Sequence, residues 1–84
     1  MIPAEKRIGT TLILIETKES IERMNSLIGK FSDIIIGRQG IPLHARDLSI
    51  VSLVLEGTAD EIGAFAGQIG RLRGIKVKTS LLNK

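Results

Sequence analysis

No cysteine, tryptophan or tyrosine occurs among the 84 residues, and only Phe31 and Phe65 are aromatic. Without cysteine, neither a disulfide nor a thiolate zinc site is available to staple so short a chain. A domain near the lower end of self-sustaining size must then hold together by burial alone. With so few rings the core has to be Ile, Leu and Val, and the scarcity counts against modules that stack bases on aromatic side chains. Histidine is scarcer still, His44 being the single one. No apolar run approaches the roughly 20 residues of a membrane span, and Met1 to Arg7 lacks the form of a secretory leader. The chain reads as cytoplasmic, with no membrane partner.

What the chain does have is aliphatic content and mild charge. Hydrophobic residues make up 43%, enough for a packed domain rather than a disordered one. Twelve basic residues against nine acidic leave a formal charge of +3. The cluster of Arg71, Arg73, Lys76 and Lys78 reads as a solvated rim more readily than as a nucleic-acid patch. Direct DNA binding is therefore not expected.

The apolar pattern runs twice through the same order. A strand from Arg7 to Glu16 leads to a helical stretch, Glu19 to Phe31, and a strand from Asp33 to Gly37. A strand from Leu48 to Glu56 leads to a second helical stretch, Ala59 to Leu72, and a strand from Ile75 to Leu81. The first helix carries Ile21, Met24, Leu27, Ile28 and Phe31 on one stripe, with its start expected near Thr17 or Lys18. Thr58-Ala59-Asp60-Glu61 fits a capping box at the start of the second, whose stripe is Ile62, Phe65, Ala66, Ile69 and Leu72. Gly63, Gly67 and Gly70 lie beside that stripe and weaken the helix, which points to close approach by another backbone. Gly74 is placed to end it with positive φ.

Two glycines three apart and then Pro42, in Gly37-Arg38-Gln39-Gly40-Ile41-Pro42, mark a bulge or turn. Leu43 to Asp47 read as a polar connector. Lys76 and Lys78 alternate with Ile75, Val77, Thr79 and Leu81, as on a protected edge strand.

The order βαββαβ with right-handed crossovers predicts an α+β, ferredoxin-like fold. Its four-stranded antiparallel sheet has order 4-1-3-2, with both helices on one face. A single domain over residues 1–84 is expected, with its ordered core at about 7–82. The central strands carry large aliphatics on both sides: Ile8, Leu12 and Leu14 against Ile13 and Ile15, and Leu48, Ile50 and Val54 against Val51, Leu53 and Leu55. Helices cover only one side, so a second copy of the chain, in a dimer or tetramer, is expected on the other. Which side is which is not legible.

Catalytic chemistry is not in evidence. His44 stands alone in a loop without cysteine and reads as a surface or interface residue. No Ser or Thr has a histidine partner nearby in sequence, and no carboxylate pair stands out. Gly37-Arg38-Gln39-Gly40 is neither GxGxxG nor a P-loop. No enzyme, metal or cofactor is expected.

Ser32-Asp33-Ile34-Ile35-Ile36-Gly37-Arg38-Gln39-Gly40-Ile41-Pro42, followed by Ser49 to Leu55, resembles the small regulators associated with iron-only hydrogenase systems. So do Gly57-Thr58-Ala59-Asp60-Glu61-Ile62-Gly63-Ala64 and Gly67-Gln68-Ile69-Gly70-Arg71-Leu72. The resemblance runs from about Lys6 to the C-terminus. It implies a regulatory role and a ferredoxin-like fold close to ACT domains and to the C-terminal sensor domain of the nickel-responsive repressor. That repressor's metal is not implied, because its site looks like His and Cys ligands. Nor is its ribbon-helix-helix segment, since only seven residues precede the apolar run that opens at Ile8. An ACT-type amino-acid site uses a glycine-containing turn after the first strand, where this chain has Glu16-Thr17-Lys18-Glu19.

Three readings stay open at this point. One is a regulatory domain that self-associates and senses a small molecule, one an assembly module for a protein partner, and one a nucleic-acid-binding protein. For a sensor, the ligand contacts are expected where chains meet, at Gly37, Arg38, Gly40, Gly63 and Gly67. Glycine admits close approach there, and Arg38 offers a fork for an anionic group.

Overall fold

Strict alternation governs the first strand. In β1 (Arg7–Ile15) residues Gly9, Thr11, Ile13 and Ile15 are buried, while Ile8, Thr10 and Leu12 are exposed. The computed structural model describes residues 5–82, so most of the stretch weighed above as a secretory leader lies outside the described residues. After β1 come α1 (Ile21–Lys30), β2 (Ile35–Leu43), β3 (Leu48–Gly57), α2 (Ala59–Gly70) and β4 (Ile75–Leu81). The four strands are antiparallel in the order β2-β3-β1-β4, which from the opposite edge reads 4-1-3-2.

Both helices lie on one face of this sheet. Met24 and Ile28 of α1, and Ile62, Phe65 and Ile69 of α2, share a core with Ile13, Ile15, Val51, Leu53 and Leu55. The two phenylalanines meet edge to face, with ring centroids 5.2 Å apart, a contact worth about 0.5–1.5 kcal/mol beyond its buried area. Buried Thr11 is tolerated because its hydroxyl shares a hydrogen bond with that of Thr79 at 3.0 Å.

Three expectations are corrected. The first helix begins at Ile21 rather than near Thr17, with Ser20 as N-cap. The backbone N–H groups of Glu16 and Thr17 both donate to the Gly74 carbonyl, at 2.7 and 3.4 Å, which holds them out of the helix. The second helix ends at Gly70, short of Leu72, and Gly74 with φ +73° serves the turn into β4 instead. A Cβ on Gly74 would strike the Thr17 hydroxyl, so position 74 needs glycine for space as well as for φ.

The third correction concerns β2. No turn lies at Gly37 to Gly40; the strand continues through both glycines and Pro42 to Leu43. A register shift between Ile35 and Gly37 is the bulge. Pro42 fits because β2 is an edge strand, paired on one side only, so a missing N–H breaks no central ladder. The reversal comes at a 3-10 turn, His44–Arg46, and Asp47 adopts the left-handed conformation at φ 53°, which Asp tolerates better than most residues.

The capping box holds. The Glu61 N–H donates to Thr58 Oγ1 at 3.1 Å, and the Thr58 N–H donates to Glu61 Oε1 at 2.8 Å.

Candidate functional site

The sheet face turned away from the helices is uncovered. Ile8 is 43% exposed, Leu12 48%, Ile41 40% and Val54 41%, values that leave large aliphatics in water. The strand register assembles them into rows across the sheet. Lys76, Leu14, Ile50 and Ile41 form one row; Lys78, Leu12, Ser52 and Gln39 the next; Ser80, Thr10, Val54 and Gly37 a third. Most of these aliphatics sit on the central strands, Ile41 extends them onto β2, and the β4 lysines edge the other side. Lys76 also lies 3.8 Å from Glu16, an exposed pair that adds little to stability. The apolar surface runs across the middle of the face, interrupted by Thr10 and Ser52, and reaches the β2 edge at Ile41, while the β4 edge is polar.

The residues singled out from sequence divide between two places. Gly37, Arg38 and Gly40 lie in β2, at one edge of the sheet. Gly63 and Gly67 lie on α2, which packs most extensively on β4 at the other edge. Arg38 pairs in register with Leu53, and its guanidinium donates to Asn25 Oδ1 of α1 at 3.2 Å, in an exposed position. A Cβ added at Gly40, Gly63 or Gly67 would meet nothing within 4 Å. Among the described residues, the close approach that Gly63 and Gly67 suggest is thus not made inside one chain. Gly70 does make one, since a Cβ there would come within 3.2 Å of Val77 Cγ1.

Two clefts lie at the end of the sheet where β1 runs into α1. One, of about 690 Å³, brings His44 and Asp47 near Glu16, Thr17, Lys18 and Ile21. His44 is exposed there, and no group of three or more His, Asp or Glu among the described residues could hold a metal ion. The other, of about 440 Å³, is lined by Glu19, Ser20, Arg23, Arg71, Leu72 and Arg73. Sequence reading grouped Arg71 and Arg73 with the β4 lysines and passed over Arg23. The only available signal was its position early in α1, which does not say what the fold sets opposite.

The capping box perturbs the Glu61 carboxyl. The Thr58 N–H, and after it the Thr58 hydroxyl, hold the Glu61 carboxyl below its usual value of 4.5. Capping accounts for this shift, and no catalytic role is needed to explain it.

The TM1266-like family profile, described as "Iron-only hydrogenase system regulator, putative", matches residues 7–79. Among solved structures, the uncharacterised protein TM1266 from Thermotoga maritima is 38% identical, with a TM-score of 0.87. The match covers 94% of this chain and 100% of that one. CPII from Thiomonas intermedia K12, solved with ADP, AMP and acetate, is only 11% identical at a TM-score of 0.49, over 95% of this chain and 93% of its own. That likeness is too distant to bear on this chain. No curated protein is significantly similar. By its full-length likeness to TM1266 and the match over 7–79, the chain belongs to the TM1266-like family.

Proposed function

We propose that this chain is an ACT-like regulatory subunit that works as a homo-oligomer, a second copy covering the uncovered sheet face. One observation carries the reading: four large aliphatics, Ile8, Leu12, Ile41 and Val54, stand 40–48% exposed on a single sheet face. Soluble monomers rarely leave such a surface open, and a two-fold axis lets one apolar patch cover its own copy. The family description supports a regulatory rather than a catalytic role. Sedimentation at micromolar concentration is expected to give a dimer or tetramer; a clean monomer overturns the reading.

In the same proposal a small-molecule effector contacts Gly37, Arg38 and Gly40 of one copy and Gly63 and Gly67 of another. Supporting this are the open space at Gly40, Gly63 and Gly67 and the placement of β2 and α2 towards opposite edges. Arg38 would exchange its exposed bond to Asn25 for the ligand. A metabolite panel read by thermal shift, on wild type and Arg38→Ala, tests the site. A wild-type response lost in the variant supports it, and one undiminished in the variant removes Arg38. Silence from both leaves the ligand-free assembly module as the better account.

A further inference from the structure

The basic run of Arg71, Arg73, Lys76 and Lys78 is split by the fold. Lys76 and Lys78 lie on the uncovered sheet face, beside Leu14 and Leu12. Arg71 and Arg73, in the turn between α2 and β4, instead share a cleft with Arg23 of α1. Among the described residues that line it are three arginines and one acidic residue, Glu19. Glu19 is within 3.5 Å of the Thr17 hydroxyl, and among the described residues none of the three arginines has a carboxylate partner.

Two further features converge on the same cleft. It lies at the start of α1, a ten-residue helix whose N-terminus carries partial positive charge and N–H donors. Ser20, the N-cap residue, is only 7% exposed, yet its side chain caps nothing. No side-chain polar atom among the described residues is sealed from solvent without a partner, so the Ser20 hydroxyl reaches solvent, and Ser20 is one of the residues that line the cleft. Water satisfies that hydroxyl in the free chain, and a ligand oxygen can take the water's place.

We infer that this cleft binds the phosphate group of a small phosphorylated molecule. Arginine forks match phosphate oxygens bidentately, and three arginines against the single carboxylate of Glu19 leave a net positive charge that attracts a dianion more strongly than a monocarboxylate. A volume of about 440 Å³ leaves room for more than inorganic phosphate, within the ordinary span of small-molecule sites. A bound phosphate would tie the first turn of α1 to the turn before β4. The backbone already joins these segments, through the Glu16 and Thr17 N–H groups on the Gly74 carbonyl. The site uses neither Arg38 nor the uncovered sheet face, so it stands or falls separately from the oligomer reading.

Amide chemical shifts of the full chain, titrated with inorganic phosphate and with ATP against chloride at matched ionic strength, test the inference. Shifts confined to residues 19–23 and 71–74, absent with chloride, are expected. Arg23→Ala and Arg71→Ala should each weaken binding by roughly tenfold or more. Both side chains are exposed, so both variants should keep the wild-type fold. Arg71→Lys, which keeps the charge and loses the fork, guards against an alanine variant that does not fold, and should also bind more weakly. No shift at millimolar phosphate or ATP, an equal response to chloride, or undiminished binding in the variants overturns the site. So does a result in which a DNA or RNA oligonucleotide binds through these arginines while phosphate and ATP do not, because the phosphate source is then a nucleic-acid backbone.

Discussion

Placing a glutamate at two adjacent positions of β1 separates the two faces of the sheet. Ile13 is 0% exposed and belongs to the core beneath the helices, whereas Leu12, one residue earlier, is 48% exposed on the other face. Ile13→Glu loses the full burial of an aliphatic side chain, about 1.5–3 kcal/mol. It also forces a carboxyl into an apolar site, at a further cost of several kcal/mol. The sum is about 5 kcal/mol or more. At about 0.05–0.15 kcal/mol per residue, a chain of 84 residues is stable by roughly 4–13 kcal/mol in all. Ile13→Glu should therefore be unfolded or nearly so.

Leu12→Glu is different within one chain. Leu12 has already left about half its surface in water, so the loss is about 1 kcal/mol, and the new carboxylate stays hydrated. Between chains it is severe, because covering the face would bury that charge once per copy. The assay combines circular dichroism with sedimentation. Ile13→Glu should lose its secondary structure, and Leu12→Glu should keep it but sediment as a monomer. Folded, associated protein from both variants would refute the assignment of the faces, and a Leu12→Glu chain that remains oligomeric would refute the location of the interface.

Thr58→Ala removes the acceptor for the Glu61 N–H and should lower stability by about 1 kcal/mol, visible as a lower urea midpoint with unchanged sedimentation. Glu61 adds a pH signature. Its folded pKa lies below the unfolded value near 4.5, so its carboxylate stabilises above that pH and the contribution fades as pH falls through the lower folded value. The wild-type advantage in melting temperature over Glu61→Gln should shrink in that acidic range, and a difference flat in pH would remove the cause assigned to it. Gly63→Ala and Gly67→Ala test whether the α2 glycines serve a partner. In a free chain each should stabilise by up to about 1 kcal/mol, since the added Cβ meets nothing. A gain in stability with weaker association or ligand response assigns them to a contact between copies, whereas a gain without loss makes that face idle.

Much of the fold was legible because it is written in local periodicity. The helix stripes, the Thr58–Glu61 box and the lysine-guarded β4 each depend on residues a few positions apart, and each stands where its pattern placed it except for Leu72, which falls beyond the end of α2. Of the bulge or turn expected around Gly37 to Gly40, the chain makes a bulge, between Ile35 and Gly37, and no turn. Glycine and proline weaken a strand locally, but pairing with β3 from Gly37 through Leu43 outweighs that preference, and an edge position spares Pro42. The start of α1 was misplaced for a similar reason. The Gly74 carbonyl, far along the chain, takes the N–H groups of Glu16 and Thr17.

The sequence by itself determined that β1 and β3 are apolar on both sides, since alternation has a period of two and every second residue can be read directly. It did not determine which side the helices cover, because the pattern of aliphatics is nearly the same on both. Tertiary packing decided that, sealing Ile13, Leu53 and Leu55 and leaving Leu12 and Val54 in water. Packing also drew Arg23 to Arg71 and Arg73 while parting those two from Lys76 and Lys78. Side chains far apart in the chain meet only when the crossovers bring their elements to one end of the sheet. Neighbours in the chain part when a turn becomes a strand, because a strand sends alternate residues to opposite faces.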